Sequence, residues 1–140
     1  MGSINMGRVV IGGLAAGLLI NVSEFILNGV VLAADFNAAM AALNRPPVSS
    51  SMIACFVVLA FGLGFMAVWI YAAIRPRFGP GVSTAVCASL AVWGLAYLYP
   101  NLATMVLGLF PNRIMIIATV WGLAELLVAG IAGAWIYTET

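Results

Sequence analysis

The sequence predicts an all-α polytopic membrane protein, a four-helix transmembrane bundle with short interfacial helices in its two outer loops, built as one domain. Three observations carry that expectation. Hydrophobic residues make up 65% of the 140 residues and charged residues only 6%, with a mean hydropathy of +1.19, far from soluble globular usage. The apolar residues fall in four runs long enough to cross a hydrocarbon core of ~30 Å, which takes ~20 helical residues. Nearly all charged and turn-forming residues fall between those runs.

The first span is expected from Arg8 to Ala33, the second from Met52 to Ile74, the third from Val82 to Tyr99 and the fourth from Ile114 to Tyr137. The first outer link, DFNAAMAALNRPPVSS, has Phe36, Met40 and Leu43 at helical spacing and reads as an interfacial helix. Asn101 to Phe110, between Pro100 and Pro111, reads either as a second such helix or as a continuation of the third span past a proline kink. Asn37, Met40 and Pro46 are faintly echoed by Asn101, Met105 and Pro111, which suggests a parallel internal repeat of two helical pairs. Val31-Leu32-Ala33 resembles a signal-peptidase site, but the apolar stretch before it is too long and contains Glu24, so an uncleaved first span is expected.

Arg8, Arg75 and Arg77 lie on one side of this arrangement, Arg45 and Arg113 on the other. The excess favours the first side as cytoplasmic, so the expected setting is a bacterial cytoplasmic membrane with both termini inside. With five Arg, no Lys and no His, there is no basic patch for nucleic acid. Membrane lipids are the expected surroundings, with either further copies of this chain or other membrane subunits as partners.

The first span carries polar residues where hydrocarbon side chains are the rule. Gly13, Gly17, Asn21, Glu24 and Asn28 fall within about 80° of one another at 100° per residue, one continuous stripe. The fourth span has a matching stripe of Ala118, Trp121, Gly122, Glu125, Ala129 and Ala132. A charged side chain at bilayer depth costs ~2.5–3.5 kcal/mol on insertion scales, so both carboxyls should face the bundle interior. Counted from the outer span ends, the two differ in depth by only about 3 Å, so they can meet. Like charges repel strongly in a low-dielectric interior, so at least one carboxyl is expected to hold its proton.

Three arrangements suit the pair: a shared proton, a cation held with help from the amides of Asn21 and Asn28, or two neutral carboxyls acting as interhelical hydrogen-bonding glue. Ser89, Trp93 and Tyr97 recur every four residues on the third span, where Tyr97 can donate to a midplane carboxylate, and Trp121 lies on the Glu125 stripe. Gly13, Gly17, Gly64 and Gly133 are the expected close-packing positions, in pairings such as Ala60 with Gly64 and Ala129 with Gly133. Trp69, Trp121, Trp135, Tyr71, Tyr99 and Tyr137 are placed towards span ends, as an aromatic belt.

Enzyme chemistry is not expected: the chain has no His, no nucleophile elbow and no phosphate loop. Its two cysteines, Cys55 and Cys87, lie at opposite depths and suit neither a disulfide nor a zinc site, and no cofactor is implied. The functional expectation is transport of a small cation, or coupling of transport to protons, through Glu24, Glu125, Asn21 and Asn28. The alternative is a non-catalytic accessory subunit of a larger membrane complex. The four-helix architecture with Glu24 in the first span resembles the small multidrug transporters, compact four-helix proteins with an essential glutamate in that span. This chain is longer, carries Glu125 in its last span and interposes an outer segment, so no residue role is carried over.

Overall fold

The computed structural model describes residues 3–139. Helix α1 (Met6–Ile26) begins at Asn5, whose side chain accepts from the Arg8 N–H, and continues through a π-helical turn, Leu27–Val31. The short helix α2 (Ala33–Ala42) follows at once, and α3 (Ser50–Phe78) starts where the Ser49 side chain accepts from the Met52 N–H. Helix α4 (Val82–Trp93), a second π-helical turn (Gly94–Leu98) and α5 (Tyr99–Val106) form one rod, and α6 (Asn112–Ile136) closes the chain. Four rods are long and apolar enough to span a membrane: 6–31, 50–78, 82–106 and 112–136. These are the expected four spans, each shifted by a few residues except the third, which runs on to Val106 rather than stopping at Tyr99.

That extension has a local cause. Pro100 lacks an N–H, and its ring would clash with the carbonyl four residues back in a regular α-helix. The wide turn before it relieves the clash, with the Tyr99 N–H reaching the Gly94 carbonyl. The proline therefore interrupts the regular hydrogen bonding of the rod without ending it, and the residues after it are the tail of the third span, not a separate loop helix. The first rod carries the same device, where the Leu32 N–H donates to the Leu27 carbonyl at 2.7 Å. The element order is consequently the same twice over: long helix, π turn, short helix, long helix.

Spans one and three occupy opposite corners of the bundle, each packed against α3 and α6, which also touch one another. Glycine makes the tightest of these contacts possible. A Cβ on Gly64 would stand 2.7 Å from the Gly13 carbonyl oxygen and closer still to the Gly17 nitrogen, while one on Gly12 would stand 2.6 Å from the Gly133 carbonyl oxygen. Backbone approaches backbone at α1/α3 and at α1/α6, as small residues permit where lipid supplies no hydrophobic drive for helix association.

Two apolar clusters result. One fills the half nearest the chain termini, with Val9, Ile20, Val68, Leu126 and Ala129 among its members. The other joins Leu27, Leu32, Ala39, Ile114 and Met115 at the opposite end, where Phe36 and Phe110 pack against it with their rings tilted to one another. We call these the terminal and distal ends. An ion pair of 3.0 Å between Arg113 and Asp35 ties α2 to α6 at the distal end, alongside an open groove of about 630 Å³. At the terminal end Arg75 pairs with Glu139 at 3.2 Å and lies 5.7 Å over the Tyr137 ring. Tyr71 and Tyr137 are therefore not part of a lipid-facing belt: both are 4% exposed, and their rings meet edge to face. Tyr99 and Trp135 do face outwards, and Cys55 and Cys87 are exposed free thiols.

Candidate functional site

Between the two apolar clusters lies a polar layer built on three rods. Tyr97, in the π turn of the third span, places its hydroxyl oxygen 3.0 Å from Glu24 Oε1 of α1 and 2.7 Å from Glu125 Oε1 of α6. The ring fits because α6 has a glycine opposite it: a Cβ on Gly122 would lie 2.6–2.8 Å from the Tyr97 ring atoms Cγ, Cδ1 and Cε1.

Counting protons constrains this bridge. A phenol carries one proton and can donate one hydrogen bond, yet two carboxyl oxygens lie within bonding distance of the same hydroxyl. Both bonds form together only when one carboxyl is an acid that donates to the phenol oxygen while the phenol donates to the other carboxylate. Either carboxyl can be the acid. Moving one proton from Glu24 to Tyr97 and one from Tyr97 to Glu125 interconverts the two arrangements and leaves the tyrosine unchanged.

The two carboxyls differ in surroundings. Glu24 is half-buried and is held by Asn28, whose amide donates to the Glu24 main-chain carbonyl at 3.2 Å and to its Oε2. Glu125 is 7% exposed, and its Oε2 has no hydrogen-bond partner among the described residues. Buried polar atoms are seldom left so, and an orphaned oxygen in an otherwise bonded cluster marks where a proton or a small cation would find a ligand. Ser23 is a polar neighbour of the Glu125 carboxyl, and its hydroxyl accepts from Trp121 Nε1 at 2.8 Å. Trp121 is therefore an interior strut between α6 and α1 and not a belt residue.

The expected stripe on α1 divides between two neighbours. Gly13 and Gly17 meet Phe65 and Phe61 of α3. Asn21, expected beside the carboxyls, faces α3 with the two glycines: its amide donates to the Gly17 carbonyl at 2.9 Å and to the Val57 carbonyl of α3 at 3.3 Å. Of the stripe, Glu24 alone is bonded to Tyr97, and Asn28 is bonded to Glu24. Ser23 and Thr119 escaped the sequence reading, and Trp93 and Asn101, noted there only for their spacing, join them. Ser23 lies next to Glu24 in the chain, and Trp93 donates through Nε1 to the Thr119 carbonyl at 2.9 Å. Asn101 donates to Thr119 Oγ1 at 2.8 Å, joining the end of the third span to α6. The four-residue recurrence of Trp93 and Tyr97 was the available signal for that face, whereas nothing local marks Thr119. No group of three or more Cys, Asp, Glu or His that could hold a metal ion occurs among the described residues.

No family model matches this chain, and comparison with curated proteins and with solved structures finds no match.

Proposed function

We propose that the chain is a small transporter that couples movement of a small cation to a proton, with Glu24, Tyr97 and Glu125 as the proton-exchanging group. One observation supports this above the rest: a single hydroxyl bridges two carboxyls from different spans at 3.0 and 2.7 Å. Such a bridge holds one carboxyl proton in either of two arrangements, so the position of the proton answers to whatever else binds the carboxyls. A cation arriving at the pair would displace the proton, and a proton returning would release the cation. Asn28 steadies Glu24 in either state. In this reading the protein lies in a cytoplasmic membrane with both termini inside, the side on which Arg8, Arg75 and Arg77 fall. Because so small a bundle encloses no wide path of its own, it works as a homo-oligomer.

The test is proton flux in proteoliposomes under an imposed pH gradient, followed with an entrapped pH indicator. Glu24→Gln and Glu125→Gln should each reduce flux about tenfold or more, as loss of a positioned proton-transfer group does. Their retained helicity and elution as a single species should show that the bundle still forms. A double variant as active as the parent protein would reduce the pair to hydrogen-bonding glue, the part it would play in an accessory subunit of a larger assembly.

A further inference from the structure

We infer that the carboxyl pair is loaded with protons from the distal end, by water reaching Glu24 beside Asn28, with Glu125 as the sealed acceptor behind Tyr97. The inference rests on the proton-exchange reading of the pair and adds a direction to it.

The route on the distal side is short and polar. Val31 is the last residue of the first rod, so at a rise of 1.5 Å per residue Glu24 lies about 10 Å and Asn28 about 4.5 Å inside that end. Asn28 is exposed on the bundle surface, and its amide is bonded to the Glu24 carboxylate. A polar side chain one turn from the end of a span lies near the headgroup and water boundary, where it favours water beside the carboxylate it holds, and hydronium there protonates Glu24 directly. Glu24 then transfers to Glu125 by the two-proton step through Tyr97, in which one O–H bond forms as another breaks and net charge is conserved.

The terminal side is closed by contacts too tight for a methyl group. Gly64 meets Gly13 and Gly17 at α1/α3, Gly12 meets Gly133 at α1/α6, and Gly130 abuts the buried Ser89 hydroxyl at α4/α6. Gly130 lies five residues beyond Glu125, about 7.5 Å towards the terminal end. Among the described residues, Ser89 Oγ and Glu125 Oε2 are both buried without a hydrogen-bond partner, so the two are not linked into a bonded path from Glu125 towards the terminal end. The conformation described here is open to protons at one end and shut at the other.

Chemical labelling separates the two carboxyls. The full chain in lipid nanodiscs, with both faces in water, is treated with a water-soluble carbodiimide and glycine ethyl ester, and in parallel with a membrane-soluble carbodiimide. Modified peptides are then quantified by mass spectrometry. The carboxyl adds to the carbodiimide, and the amine then displaces the urea to leave an amide. The water-soluble reagent should label Glu24 at least about tenfold faster than Glu125, the ratio corresponding to ~1.4 kcal/mol. Asn28→Leu should lower that rate about tenfold and leave labelling by the membrane-soluble reagent within about twofold. Equal labelling of both carboxyls would overturn the inference, and so would labelling of Glu24 by the membrane-soluble reagent alone, or no labelling of Glu24 by either. The parent protein decides the matter even if Asn28→Leu does not fold. Failure here leaves the flux test of the pair standing, and failure of the flux test leaves the labelling ratio interpretable as access alone.

Discussion

At the scale of single residues, Tyr97 and Gly122 form a matched pair. The ring occupies space that only a glycine on α6 leaves free, since a Cβ there would stand 2.6 Å from Tyr97 Cδ1. Gly122→Ala should therefore push the ring aside and break the bridge while leaving every bridging group in the chain. The expected cost is ~1–3 kcal/mol of stability, as for other overpacking changes, with proton flux lowered about as much as in Tyr97→Phe. Thermal unfolding in detergent and flux in liposomes check the two halves of this statement. Tyr97→Phe should be milder in stability, on the order of 1 kcal/mol for lost interhelical hydrogen bonds, because the ring still fills its space. A Gly122→Ala protein with full flux would show that the ring position does not matter. The sequence showed Glu24 and Glu125 as polar groups that must face inwards, because membrane burial restricts where a carboxyl can point, and Tyr97 as a group able to donate to them. It did not show Gly122 as the partner of Tyr97, since only the packed bundle brings that pair together.

At the scale of elements, the two π turns matter more than the four long helices. Each inserts a wide turn into a spanning rod, and the one at Gly94–Leu98 carries Tyr97. One extra residue in a turn rotates the following side chains by about 100° relative to a regular α-helix. Pro100→Ala removes the steric reason for the second turn. The rod should then relax towards regular α-helix and swing Tyr97 away from the carboxyls, with loss of flux despite an unchanged bridging set. Deuterium exchange of the Tyr99 amide, bonded to the Gly94 carbonyl in the π turn, checks the structural part. An unchanged exchange rate and flux would mean that the turn is held by packing and not by the proline. Here the sequence was legible only in part. Pro100 marked an irregularity, but a proline is compatible with a kink, a break or a π turn, and the choice depends on neighbours distant in the chain. Asn21 and Glu24 both lie in the regular part of α1, and the stripe did not show Asn21 turning to Val57 while Glu24 turned to Tyr97, because only the packed bundle decides which neighbour each edge of the stripe meets.

At the scale of the whole molecule, composition alone set the fold class, because a chain this apolar must satisfy its backbone within helices. The pairing of those helices was less legible. Small-residue positions were visible, but Gly12 against Gly133 and Gly64 against Gly13 and Gly17 are contacts between remote segments. Gly64→Val should force α1 and α3 apart and lower stability by ~3 kcal/mol or more, since backbone atoms cannot yield as side chains do. Detergent-dependent unfolding is the measurement, and a fully stable variant would contradict the close crossing. The polar layer sits where the two apolar clusters meet, so a change in either end of the bundle bears on the same three groups.

The central claim is that one proton is held between Glu24 and Glu125 by Tyr97. It is tested most directly by infrared difference spectroscopy of the reconstituted protein at neutral pH, with Glu24→Gln, Glu125→Gln and Tyr97→Phe as references. The parent protein should show one protonated carboxyl and one carboxylate, both shifted by Tyr97→Phe and both altered by either Glu→Gln change. Two carboxylates with no protonated band, or two bands indifferent to Tyr97, would contradict it.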